Sequence, residues 1–563
     1  MSSKTGVEPI SVLNIEAEKT EPTTCQLNRK DLFSIFSVAL ILFSLNYLWY
    51  YYDHHIPMMD EAGHILRSIA YSELFLHFRP FSFDWWQEFL KVSQFYPPAL
   101  YIVAGFFKAI FGAARLVDIA VHCFCASVLG VSVYLSVRLL GFGGLAACAA
   151  AFFVGFYPEV AFLNHMIMLD FPTLSASALG VTSLIFWWRY PTLGAAVLAG
   201  TAIGFCCLTK QIVTAFIVGT GVYYTVLAFL GHRRDDRKNL FLQLATIVVV
   251  TVVIGAPWIL TNFNEMNSIN SYMNTDFEEK GIKMSHIECF FYYLKSYWFN
   301  MSPLLCSLFL VSTVAAGVSS HRKLLPLWSG ALVGFFMMCL YIYPLDRYIV
   351  STFVLTAAIS GVFIEKFWFS GQVLSRVLVS GLFALIFLQY VSFNFSPYPL
   401  SSPFLTGVSQ WMAIDIPVDF FGKDGHKDNP IPYRNWGYDW ALQTIERYEH
   451  GIPVYLNVLM NEPNLNAQTF DLETKERKLP VTATTSLIWT VVGDQLEFSQ
   501  ESALYYHWYL VKDRMKRKFK DAKSEESYKS LLDFLKNSGR FEWINSMKTP
   551  EGDRISLYRQ KRQ

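Results

Sequence analysis

Apolar windows of about 20 residues recur along this chain from residue 32 to residue 393. No other feature limits the fold so tightly. Wound as a helix, such a window spans about 30 Å, the thickness of a bilayer's hydrocarbon core. Within that core every backbone N–H and C=O must be paired inside the protein, and a helix does this by itself. Composition agrees: charged residues make up 16% of the 563, against about 25% in soluble domains, and 53% are hydrophobic. The expected class is a polytopic α-helical membrane protein with about eleven transmembrane helices. They fall near 32–51, 116–139, 143–160, 168–188, 192–208, 211–230, 240–261, 301–319, 324–343, 347–364 and 374–393. The net charge of +1 gives no footing for nucleic acid or a strongly anionic partner.

One further apolar segment, Tyr96–Gly112, offers too few helical residues after its two prolines to cross the core, and it carries Lys108. The positive-inside rule decides its place. If it does not cross, Arg29–Lys30, Arg138, Arg189, His232–Lys238, His321–Lys323, Lys366 and Arg376 all share the cytosolic side. If it does, every cluster but the first moves outside. It is therefore read as a helix lying in the outer interface. The far side then receives 52–115, the turns at Asp170 and Lys210–Gln211, the loop 262–300, the mouth at Tyr343–Arg347 and all of 394–563. Three domains follow: a disordered cytosolic tail, 1–30, too polar for a signal peptide; a membrane domain, 31–393; and an outer soluble α/β domain, 394–563. In the last, strands are expected near 452–460, 481–489 and 507–513, helices near 465–477 and 524–537, and a hairpin turn at Thr549–Asp553. Seven of the nine cysteines fall in apolar spans, which argues against a disulfide framework.

The first outer loop crowds Asp53, His54, His55, Asp60, Glu61 and His64 into a dozen residues. Residues 58–75 have the spacing of an amphipathic helix on a membrane surface. In its first turn Asp60 and Glu61 could simply complement the helix dipole. A carboxylate at that boundary could also act as general base on a hydroxyl or amine acceptor. Asp60 and His64 share a face at i, i+4, which leaves a divalent metal open, with His64 and Glu61 as its ligands. At the other far-side turns stand Asp170, Lys210, Asp346 and Arg347. Snorkelling accounts for either cation alone. Two cations beside carboxylates on the face that the positive-inside bias depletes point instead to a grip on phosphate with a base close by.

These elements, in this order, resemble the GT-C superfamily of polyprenyl-phosphate-sugar glycosyltransferases, in particular the branch of protein O-mannosyltransferases and lipid A aminoarabinose transferases. The matching residues are Asp60–Glu61, "YPPALY" (Tyr96–Tyr101), Arg115, "MLDFP" (Met168–Pro172), "LTKQ" (Leu208–Gln211) and "LDRYIV" (Leu345–Val350). The resemblance implies a GT-C fold over 32–393 with interfacial helices in the first outer loop. It implies Asp60 as catalytic base, Glu61 and Asp170 as further acidic residues, and Lys210 and Arg347 as cations for the lipid phosphate. Arg115, Tyr96 and Asp346 are carried as supporting residues. The implied donor is a polyprenyl- or dolichyl-phosphate sugar, used with inversion and without a nucleotide. Before the double proline, protein mannosyltransferases have His and aminoarabinose transferases Lys; Tyr96 stands here and leaves lipid, glycan and protein acceptors open.

A multi-pass transporter and a non-catalytic glycan-assembly subunit are the competing classes. Transporters place their polar sites near the midplane, whereas these charges gather at one membrane face. Two N-x-S sites, at Asn300 and Asn394, hug the expected bilayer edge and give no support to a eukaryotic lumen. A bacterial inner membrane is favoured over the endoplasmic reticulum.

Overall fold

The computed structural model describes residues 27–211, 214–230, 237–279, 283–395, 434–489, 494–513 and 519–562. Most of the expected tail and most of 394–433 lie outside these residues. Every expected apolar window carries a helix. Among the described residues six helices are long and apolar enough to cross a membrane: Arg29–Tyr52, Arg115–Leu139, Asp170–Arg189, Lys238–Ser271, Asp346–Trp368 and Val373–Phe395. Two bent pairs, Gly144–Phe156 with Pro158–Asn164 and His286–Trp298 with Pro303–Ala315, raise the number to eight if each is one span. The remaining windows hold the shorter helices Leu193–Cys207, Thr214–Phe229 and Leu325–Leu340. At 15 or 16 residues these are about 24 Å long, so length and composition alone do not give eleven full crossings.

The two ends of the bundle differ chemically. At one end Arg138 pairs with Asp31 at 2.8 Å, Lys366 donates to the Ala316 carbonyl at 2.5 Å, and Lys323 lies 5.7 Å from the Phe142 ring. These are members of the basic clusters expected on one side. Asp60, Asp170, Lys210 and Arg347 gather at the other.

That other end is built on the helix Met59–Leu76. Glu61, in its first turn, reaches back to accept the Met58 N–H at 3.0 Å. Its apolar face, Ala62, Ile65 and Ile69, is buried against Trp49, Cys123 and Ile167. The short helix Ala99–Phe111, 13 residues, packs against it. Gly105 allows the close packing: a Cβ there would come 2.6 Å from the Tyr71 Cβ and 2.9 Å from the Ser68 carbonyl. Lys108 of this helix does not snorkel. It is 2% exposed and pairs at 2.7 Å with Asp118, which also accepts from the Ser68 hydroxyl at 2.8 Å. A third short helix, Phe83–Lys91, capped by Ser82, completes the segment 52–115.

The segment 262–300, expected as a loop, is mostly helical. The helix Arg237–Glu279 runs on for 43 residues through Pro257, and His286–Met301 follows. Between Trp258 and Glu279 the sequence has neither Gly nor Pro to stop it.

Beyond the bundle lies a five-stranded sheet in the order 481–484, 454–459, 508–512, 554–560, 541–548. The first three strands run parallel and the hairpin 541–560 closes the sheet antiparallel. Leu456, Val458, Phe470, Trp508, Leu510 and Leu557 form its fully buried core. The helix Ala467–Glu476 joins this domain to the bundle. Thr469 donates to the Pro57 carbonyl at 2.9 Å, and Leu472 enters the apolar cluster under Met59–Leu76.

The Lys108–Asp118 pair supplies a test of this packing. Lys108→Met strands a buried carboxylate and should cost about 3–5 kcal/mol. The double variant Lys108→Met/Asp118→Asn should recover most of that loss. Thermal unfolding of the three proteins in detergent measures both effects.

Candidate active site

Asp170 opens the helix Asp170–Arg189, where the first-turn N–H groups favour a negative charge. It is 4% exposed and held by two cations from distant parts of the chain. Lys210, in the turn after Leu193–Cys207, donates to Oδ1 at 2.5 Å, and Arg347 Nη1 lies 3.4 Å from Oδ2. The Lys210 ammonium lies 5.3 Å from the Tyr348 ring centre. Burial draws Lys210 below its ordinary pKa and Arg347 adds to the effect, against the pull of Asp170. The Arg347 Nε is buried with no hydrogen-bond partner.

Asp60 lies on the helix Met59–Leu76. Its side chain is open to solvent, yet protein closes round it, so the carboxylate stands in a recess. That enclosure raises its pKa above the ordinary carboxylate value. Arg347 and Arg67 pull it back down, while Glu61 and Asp170 push it further up. Asp60 and the Asp170 clamp thus lie in each other's field. Tyr96 shares it: burial, then the Asp60 charge, pushes its hydroxyl up to about 12. Three hydrogen bonds fix its segment. Ser93 donates to the Tyr96 carbonyl at 2.5 Å, Trp258 donates to the Ser93 carbonyl at 2.7 Å, and the Ala99 N–H donates to the Leu208 carbonyl at 2.8 Å. The last of these ties the Tyr96 segment to the Lys210 turn.

The other expected residues have different work. Glu61 is 1% exposed, and both of its oxygens are engaged: Oε1 accepts the Ile167 N–H at 2.9 Å, and Oε2 accepts from the Met58 N–H and from His55 Nε2 at 3.1 Å. It pins Met59–Leu76 to the bundle and to the preceding loop. Arg115 donates to the His55 carbonyl at 3.0 Å and so fixes that same loop. His64 is buried and bonded through Nδ1 to the Tyr101 hydroxyl at 2.6 Å; burial, then the Arg67 charge, takes its pKa down to about 3. Asp346 accepts from the Ser296 hydroxyl, and Asn300 donates to its backbone carbonyl at 3.2 Å. Among the described residues no three His, Cys, Asp or Glu side chains converge as ligands for a metal. The His64–Glu61 pair expected for one is divided between Tyr101 and the His55 loop.

Two neighbours of the site escape a motif-based reading. Arg67 sits two turns beyond Asp60, 5.3 Å from the Tyr96 ring centre. Glu159 lies in the field of Asp346, Arg347 and Asp170. Helical spacing from Asp60 places Arg67 on the same face, a signal available in the sequence. Nothing local marks Glu159.

Among solved structures the chain is similar to ArnT from Cupriavidus metallidurans bound to undecaprenyl phosphate. The TM-score is 0.52 at 14% identity, over 94% of this chain and 97% of that one. The fold is GT-C. The apo form of the same ArnT matches with a TM-score of 0.50 at 16% identity, over the same shares of both chains. At such identity the GT-C likeness is one of fold. No protein-family model matches the sequence, and no curated protein does.

His55 gives this site a pH signature of its own. Burial would lower its pKa, but Glu61 and Asp53 on either side raise it from 6.5 to about 9. The stabilisation is therefore complete below pH 6.5 and is lost as pH rises through about 9. Thermal unfolding of wild-type protein should show that alkaline loss, and His55→Gln should flatten it.

Proposed function

We propose that the protein is a glycosyltransferase that moves a sugar from a polyprenyl-phosphate donor to a lipid, glycan or protein acceptor at the non-cytosolic membrane face. The observation that carries this reading is the solvent-open Asp60 carboxylate standing in the field of Arg347, one of the two cations organised on Asp170. An ArnT of the same fold binds undecaprenyl phosphate, a lipid of the class that would be released here.

The chemistry follows from the layout. An acceptor O–H or N–H faces Asp60, which takes its proton. The acceptor atom attacks the anomeric carbon from the side opposite the phosphate, and the bond from that carbon to the phosphate oxygen breaks with its electron pair going to phosphate. The configuration inverts. Lys210 has donors beyond the one given to Asp170, and the Arg347 Nε is unspent. Both would receive phosphate oxygens, while Asp170 holds the two cations in place and limits their mutual repulsion. In this reading residues 31–393 form the catalytic membrane domain. The domain within 394–563 seats its helix Ala467–Glu476 on the Asp60 helix and so borders the acceptor side. Hexosyl or pentosyl transfer fits the site equally.

Purified protein in nanodiscs, given a panel of polyprenyl-phosphate sugars, should release free polyprenyl phosphate from at least one; failure with every donor and acceptor class would sink the proposal. Asp60→Asn should lower turnover by about 10²–10⁴-fold and leave binding of undecaprenyl phosphate intact. Unchanged turnover would remove Asp60 as the base.

The rate should rise with pH along a limb above the ordinary carboxylate range, because enclosure raises the Asp60 pKa. Arg347→Gln removes a charge that lowers this pKa and should move the limb to still higher pH, alongside weaker use of the donor.

A further inference from the structure

Lys210 and Arg347 are both committed to Asp170. Arg67 is not committed to any carboxylate: among the described residues none lies within ion-pair distance of it. Its Nη1 donates to the Gly63 carbonyl of its own helix at 2.8 Å. Its guanidinium lies 5.3 Å from the Tyr96 ring centre and 6.0 Å from that of Tyr101. Ring faces and a backbone carbonyl orient it without cancelling its charge. A partly buried guanidinium with no carboxylate in contact keeps donors for an arriving anion. Arg67 also shares its neighbours with the Asp170 clamp. Tyr96 lies in the field of Arg67, Arg347 and Asp170, and His64 in that of Arg67, Asp170 and Lys210.

We propose that Arg67 is a third phosphate-binding cation of the site, taking an oxygen of the donor phosphate as that group leaves. This rests on the glycosyl-transfer reading and extends it. Charge conservation supplies the reason. Before transfer, Lys210, Arg347 and Arg67 face Asp60, Asp170 and a singly charged phosphodiester, and the charges balance. In the transfer the sugar–oxygen bond breaks toward phosphate, which becomes a dianion, and the acceptor proton neutralises Asp60. The charges balance again. Without Arg67 both states hold one uncompensated negative charge, and the transfer moves negative charge from Asp60 onto the phosphate, where a nearby cation meets it. Of the other carboxylates around this set, Glu61 and Asp53 share His55, Asp346 accepts from the Ser296 hydroxyl, and Glu159 lies in the field of Asp346, Arg347 and Asp170. A cation at the phosphate rather than at Asp60 therefore stabilises the transition state more than the bound donor.

The test compares wild type, Arg67→Gln and Arg67→Lys for binding of undecaprenyl phosphate and of undecaprenol, which has the same tail without the phosphate. Wild type should prefer the phosphate. Arg67→Gln should lose roughly ten- to a hundred-fold of that preference, the worth of a charge-assisted hydrogen bond. Its undecaprenol binding should not change. Arg67→Lys should restore part of the preference, which separates lost charge from misfolding. In turnover, Arg67→Gln should lower kcat more than it raises the donor KM. An intact phosphate preference in Arg67→Gln overturns the assignment, and does so equally if that variant shifts only the acid limb of the pH profile, because Arg67 would then act on Asp60 alone. If wild type itself shows no preference for the phosphate, the donor reading falls and this inference with it.

Discussion

The Asp170 carboxylate accepts from Lys210, 40 residues further on, and faces Arg347 at the start of another span. Any one of these charges would be costly at the rim of a bilayer. Together they form a cluster with one net positive charge that can be kept out of bulk water. The helices bearing them are fixed by their own packing. Ser177 bonds Ser351 at 3.1 Å across the Asp170 and Asp346 helices, and Tyr157 bonds Thr356 at 3.0 Å. The clamp is therefore a rigid positive rim, and the recess beside it takes its character from that rim.

The second constraint is the position of Met59–Leu76 between the bundle and the outer domain. Glu61, His55 and Arg115 hold its beginning, Gly105 lets Ala99–Phe111 pack tightly against its middle, and Ala467–Glu476 covers it from outside. Gly63 sits at that cover: a Cβ there would come 3.0 Å from Gln468 Oε1 and 3.2 Å from Arg67 Nη1. The outer domain thus reaches to within a side chain of the proposed phosphate site. A helix held on three sides can present Asp60 with little freedom to reorient, as a base acting in a fixed direction requires.

Much of this was legible in the sequence. The apolar windows set the helices, and the basic clusters at Arg138, His321–Lys323 and Lys366 set which ends lie together, because both depend on local composition and on the membrane as solvent. The apolar run in residues 452–460, read as a buried strand, and the turn at Thr549–Asp553 likewise marked the sheet. Less legible was the outer face. The helix beyond Pro257 continued where a loop was expected, since helix formation there needs only the absence of breakers. Lys108 stood in the sequence as a lone charge on an apolar interfacial segment; its burial was not legible there, because its partner Asp118 comes from a different helix.

The candidate site divides in the same way. Sequence alone placed Asp60, Asp170, Lys210 and Arg347 at the ends of spans on one side, since side and depth follow from hydropathy and charge bias. Only the tertiary structure decided that Asp170 is the shared counter-ion of both cations, that Glu61 is spent on Ile167, Met58 and His55, and that Arg67 has no carboxylate within ion-pair distance among the described residues. Which ions meet is a matter of distances between segments far apart in the chain. Those distances are set by the packing of whole helices, which no local window of sequence contains.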